Sequence, residues 1–172
     1  MTTASPASRA LWAETRLLRW PGLYRLVSLP CERLAEGAEW VTLVPQGAFA
    51  ALVLERDEVS LTLPEALAQQ VPQGRLSGPL VALTLDLDVD LGVCGYLLPA
   101  AERLAQAGIS IVPQCAFKKD HLLVPQDRAD EAELQSANPG EGAIEPVDLI
   151  HHGVVVDPAN EDGEKPDAKG PV

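Results

Sequence analysis

The residues of this chain best placed to do chemistry lie in one short run, Asp86-Leu87-Asp88-Val89-Asp90-Leu91-Gly92-Val93-Cys94-Gly95-Tyr96. Gly92 and Gly95 let the backbone approach a ligand closely, and the run leads into a helical pattern. The N–H groups of Cys94, Gly95 and Tyr96 therefore stand at a helix N-terminus, where a carboxylate is well received. Pro99 fits the first turn, because its missing N–H removes a group that has no helical partner there. The plainer alternative is that both glycines only make the turn. Asp86, Asp88 and Asp90 alternate, so on a strand they share one face. That face is either a solvated acidic row or a place where Asp88 or Asp90 receives a ligand ammonium or a basic side chain. A calcium loop is excluded, since it needs glycine at its sixth position and glutamate at its twelfth, where Leu91 and Leu97 stand.

Other reactive side chains lead nowhere comparable. His151 and His152 are adjacent, point apart in an extended chain, and cannot chelate one ion alone. His121 follows a turn and begins an apolar segment, which suits a structural hydrogen bond, and Lys118 and Lys119 read as a solvated turn. Cys31, Cys94 and Cys115 are odd in number, lack Cys-x-x-Cys spacing and lie in apolar surroundings, as buried residues of a reducing compartment do. No Gly-x-Ser-x-Gly and no Cys–His pair with an orienting acid is present. No catalytic residue, metal site or cofactor is expected.

Composition narrows the partners. The 172 residues carry a net charge of −12 and only 4% aromatics, against the clustered cations and stacking surfaces that nucleic acid demands. Half the charge is at one end: Asn138 to Val172 holds eight acids and two lysines, and residues 151–172 are expected to form a disordered acidic tail. No apolar run reaches the roughly 20 residues of a membrane span, and arginines interrupt the N-terminus where a secretory signal would lie. The expectation is a cytoplasmic protein that binds neither nucleic acid nor membrane.

Residues 1–22 read as a leader with at most a turn or two of helix. Leu23 to Leu29 reads as a strand, and Cys31 to Trp40 leaves room for only a short helix before Val41 to Val44. Ala48 to Arg56 and Glu58 to Leu63 alternate about an Arg56-Asp57 corner as a hairpin, and Pro64 opens a short helix through Gln70. The second half repeats the order: Leu80 to Asp88 as a strand, a helix from Leu97 closed by Gly108, strands at Ile109 to Phe117 and His121 to Gln126. A helix from an Asp127 N-cap to Ala137 follows. Pro113 places the strand 109–117 at a sheet edge, where pairing with another unit or chain is open to it. On that strand Ile109, Ile111, Cys115 and Phe117 would face the helices, leaving Gln114 as a candidate polar contact opposite. The closing strand is ambiguous: Pro146 demotes Ala143 to Ile150 to an edge, Val154 to Val156 is short, and strand exchange between halves would serve equally.

The order of elements is the split βαβ, ferredoxin-like arrangement, twice over, the first copy reduced. The chain resembles the tandem ACT-domain proteins, which include the arginine-sensing CASTOR proteins of animals. The resemblance rests on Gly92-Val93-Cys94-Gly95, on Leu104-Ala105-Gln106-Ala107-Gly108-Ile109-Ser110-Ile111, on Ala116-Phe117 and on Asp120-His121-Leu122-Leu123-Val124. In the first half it rests on Phe49, Ala51, Leu52 and Asp57-Glu58-Val59-Ser60-Leu61. It implies an α+β fold of two βαββαβ units, residues 23–79 and 80–150, each an antiparallel sheet with helices on one face. It also implies a regulatory, non-catalytic protein binding an amino acid, with an interaction module bearing a vestigial site as the alternative. The family's ligand touches the loop after the first strand and the second strand of a unit. That adds Val112 to a ligand set of Asp88, Asp90, Gly92, Val93, Cys94, Gly95, Tyr96 and Gln114, and it suggests a homodimer through the 109–117 edge.

Overall fold

Trp12 and Leu17 decide the first surprise of the fold. In the computed structural model, which describes residues 6–136 and 145–146, the leader holds a helix, α1 (Pro6–Glu14), and a strand, β1 (Arg16–Arg19). Both apolar residues are buried in one cluster with Val81, Leu83, Tyr96 and Leu104. The first half then runs β2 (Tyr24–Leu29), a 3-10 turn, α2 (Leu34–Thr42), β3 (Ala51–Leu54), β4 (Val59–Pro64), α3 (Glu65–Ala68) and β5 (Arg75–Leu76). The second half runs β6 (Leu80–Asp86), α4 (Leu98–Gln106), β7 (Val112–Cys115), β8 (Asp120–Pro125), a 3-10 turn, α5 (Ala129–Ser136) and β9 (Glu145–Pro146).

Pairing gives the first half the antiparallel order β3-β4-β2-β5. The second half has the matching order β7-β8-β6, and β1 takes the place beside β6 that β5 takes beside β2. The register Arg16↔Asp86 to Arg19↔Leu83 holds β1 there. The ambiguous closing strand is thus answered from the other end of the chain. Glu145–Pro146 runs parallel to β1 at the outer edge, the position that Pro146 permits.

Strand alternation sorts the core into layers. Val27, Leu29, Val59, Leu61 and Leu63 pack with Ala68 and Val71 on the helix side of the first half. Val81, Leu83, Leu85, Leu122 and Val124 pack with Ala100, Leu104, Ala129 and Ala132 on the helix side of the second. The opposite faces meet each other: Tyr24, Phe49, Leu80, Ala82 and Leu123 form a third cluster, edged by Trp20, Leu26, Ala51 and Val112. Instead of two separate sheets, the described strands form one nine-stranded sheet whose halves join at Tyr24↔Leu80. Gly37 lets α2 lie close on its sheet, since a Cβ there would stand 3.2 Å from Val59 Cγ1 and 3.3 Å from Leu61 Cδ2.

Several local expectations change. The helix after β2 is not reduced: α2 and α4 have nine residues each, and Val41 and Thr42 continue α2 because Val41 packs against the first-half core. Asp127 lies inside the 3-10 turn Gln126–Arg128 and caps nothing by its side chain. Phe117 is exposed, because β7 ends at Cys115 and a turn carries Phe117 out of register. Cys94 and Cys115 are exposed and Cys31 is half-buried, since each falls at an element end or in a loop. The expected tail, and with it Val154 to Val156, His151 and His152, lies outside the described residues.

Candidate functional site

The strand β6 stops at Asp86, and the acidic row breaks up with it. Asp86 turns inward between two cations, paired with Lys119 and at 2.9 Å from Arg16 Nη2. Burial pushes its carboxyl up, but the bonds from Lys119 and Arg16 outweigh burial and hold it below the usual range. Asp88 is exposed and pairs with Lys118 at 3.0 Å. Asp90 organises the loop: its Oδ1 accepts from Gly92 N at 2.7 Å and its carbonyl accepts from Val93 N at 2.9 Å.

Gly95 adopts φ +76°, a conformation that L side chains rarely take, and its carbonyl accepts from Leu98 N to start α4. Helix α1 braces this corner. Ser8 Oγ donates to the Cys94 carbonyl at 3.2 Å, and Trp12 packs on Tyr96 with ring centroids 6.4 Å apart. Thr15 gives its proton to the Leu11 carbonyl, so the Tyr96 hydroxyl donates to Thr15 Oγ1, 2.7 Å away. Burial raises the Tyr96 phenol, and it stays neutral.

Between this loop and the turn after β7 lies a cleft of about 220 Å³. Val89, Asp90, Leu91, Val93 and Tyr96 form one wall and residues 115–120 the other. Both signs of charge are present, from Asp90 and Asp120 and from Lys118 and Lys119. The Asp120 carboxylate beside the Cys115 thiol pushes it up to about 11 and leaves it without thiolate at neutral pH. Leu91 and Phe117, 73% and 79% exposed, add apolar surface to the cleft lining.

The cleft brings together Asp90, Val93 and Tyr96, with Gly92, Cys94 and Gly95 building the loop and Asp88 tied to its far wall through Lys118. It does not include Val112 or Gln114. Val112 packs at the edge of the cluster between the halves, and Gln114 Nε2 donates to Thr62 Oγ1 of the first half at 2.5 Å. The strand alternation correctly turned both from the helices, but that face is occupied by the other half. Lys118 and Lys119 are the lining residues that sequence reasoning set aside. Their signal was charge: two consecutive lysines facing a sequence with aspartates at 86, 88 and 90.

His121 has the structural role expected. Trp20 Nε1 donates to Thr84 Oγ1 at 2.6 Å, and Thr84 Oγ1 shares a second hydrogen bond, of 2.7 Å, with His121 Nδ1. Burial lowers the His121 pKa, with Asp120 opposing.

No sequence family and no curated protein matches the chain by sequence. Solved structures do match. A protein of unknown function from Vibrio cholerae superposes with a TM-score of 0.62 at 23% identity, over 77% of this chain and 95% of its own. A protein from Agrobacterium tumefaciens gives 0.63 at 22% identity, over 80% and 97%. The regulatory subunit of aspartate kinase from Thermus flavus gives 0.51 at 13% identity, over 71% and 94%. These likenesses show the fold of this chain to be α+β and ACT-like.

Proposed function

We propose that this chain is a regulatory protein of ACT type, built of two units in tandem, that binds an amino acid in the second-half cleft and catalyses nothing itself. The observation that carries the reading is the cleft at the glycine loop, where Asp90, Asp120, Lys118 and Lys119 offer both charges to one small molecule. A zwitterion needs acceptors for its ammonium and donors for its carboxylate. The aspartates supply the first, and Lys118 and Lys119 supply the second by exchanging their pairs with Asp88 and Asp86 for the ligand. The regulatory part rests on the likeness to the aspartate kinase regulatory subunit. The matching strand orders of the two halves support the tandem reading, with β1 rather than a C-terminal strand completing the second unit. Among the described residues no helix is long and apolar enough to cross a membrane.

A thermal-shift panel of the common amino acids at millimolar concentration tests this. A true ligand at a hundredfold excess over its dissociation constant adds about 2.7 kcal/mol of stability. Gly92→Val, whose Cβ would meet only Asp90 Oδ1 at 3.0 Å, should abolish that gain without unfolding the chain. Silence from every amino acid would refute the reading.

One observation favours an interaction module instead: Leu91 and Phe117 stand exposed beside the cleft, as residues awaiting a partner do. The β7 edge next to them pairs only with β8 among the described strands, so a second copy of the chain could add there as a homodimer. On this alternative Phe117→Ser weakens self-association and amino acids have no effect.

A further inference from the structure

The first half carries a polar cleft of its own, of about 280 Å³, on the sheet face turned from the helices. Its floor follows from register. Ser60 lies opposite Ser28, and Ser28 lies opposite Arg75, so the three form a row across β4, β2 and β5 on one face. Glu58, two residues before Ser60, adjoins the row. One step further along β4, Thr62 is buried and bonded to Gln114, so the second half covers the face up to Thr62. The row Ser60-Ser28-Arg75 is where that cover ends.

The hydrogen bonds fix what the row can recognise. Ser28 Oγ donates to Glu58 Oε2 at 2.5 Å and Ser60 Oγ donates to Glu58 Oε1 at 3.2 Å. Both hydroxyl protons are thereby committed, and the two serine oxygens and the carboxylate present lone pairs alone to the cleft. This trio is an acceptor-only cradle, suited to an ammonium. Arg75 is the reverse, with five donors and no acceptor. It is exposed and forms no ion pair among the described residues. Two strand spacings separate Ser60 from Arg75, about 10 Å between backbones. Once the arginine side chain reaches back, an α-amino group and its own carboxylate span the gap. Leu26 and Leu76 line the flanks, where a short apolar substituent would rest.

We infer that this cleft is a second binding site, for a small zwitterion with an ammonium held by Glu58, Ser28 and Ser60 and a carboxylate held by Arg75. It shares no residue with the loop cleft of the second half and does not rest on the function proposed for it. Leu26, on its flank, also packs against the cluster between the halves.

The test uses the full chain labelled with ¹⁵N and three probes that differ by one charge: L-leucine, leucinamide and 4-methylpentanoate. Leucine should shift the amides of Ser28, Ser60 and Leu76 saturably, and the two probes lacking one charge should bind at least about tenfold more weakly. Arg75→Ala and Glu58→Gln should each weaken leucine by a similar factor, and Gly92→Val should leave those three amides responding as before. Arg75 is exposed, so its variant should fold, and its unchanged far-ultraviolet spectrum would establish that. No shift at those amides up to roughly 10 mM leucine, or equal binding by Arg75→Ala, would overturn the inference.

Discussion

Thr84 and Arg19 show how single side chains hold this molecule. Thr84 joins Trp20 to a neutral His121 whose ring also lies 4.6 Å from that of Phe49. Because burial lowers the folded-state pKa of His121, the unfolded chain binds the proton more readily. Its contribution to stability is complete above the unfolded value of about 6.5 and is lost as pH falls through the lower folded value. Urea midpoints should therefore fall from pH 8 to pH 5 more steeply for the wild type than for His121→Gln, and parallel curves would rule this out. Arg19 bonds Asp130 at 3.0 Å and the buried Glu133 at 2.7 Å, clamping α5 to β1. Burial already raises the Glu133 carboxyl, with Arg19 opposing. Arg19→Ala should destabilise by about 1–3 kcal/mol, the cost of a buried group left unpaired, and Arg19→Ala/Glu133→Leu should recover most of it.

At the scale of elements, β1 is the piece on which the second half depends. It closes the edge of β6 and sets Leu17 into a core with Val81, Leu83 and Leu85. Leu17→Ala should cost about 2–5 kcal/mol by denaturant unfolding. Removing residues 1–19 should leave the chain aggregated or unfolded, since the β6 edge from Leu83 to Asp86 would be bared; a truncated chain that stays monomeric with an unchanged midpoint would contradict this. The elements whose sequences alternate or repeat with helical period were legible: the Arg56-Asp57 hairpin, the strands at Leu80 and His121, the helix closed by Gly108. Strand β1 was not, because Arg16-Leu17-Leu18-Arg19 is too short for a period and its partner is 70 residues away. The loop of the candidate site was readable from its glycines. Its opposite wall was not, because Lys118 and Lys119 acquire meaning only when β8 brings them beside Asp86 and Asp88.

At the scale of the whole molecule, the halves press their helix-free faces together, and the same faces that bury Tyr24, Phe49 and Leu123 also hold Gln114 against Thr62. Coupling between halves should therefore be measurable: a Gln114→Ala/Thr62→Val double-mutant cycle should give an interaction energy of at least about 0.5 kcal/mol, and additive effects would deny the contact. The second-half cleft is proposed to receive an amino acid. An amide chemical-shift titration of the full chain against the common amino acids tests it most directly. At least one should shift the amides of residues 90–96 together with those of 116–120, and Gly92→Val should abolish the response. Shifts confined to other residues, or none at all, would contradict it.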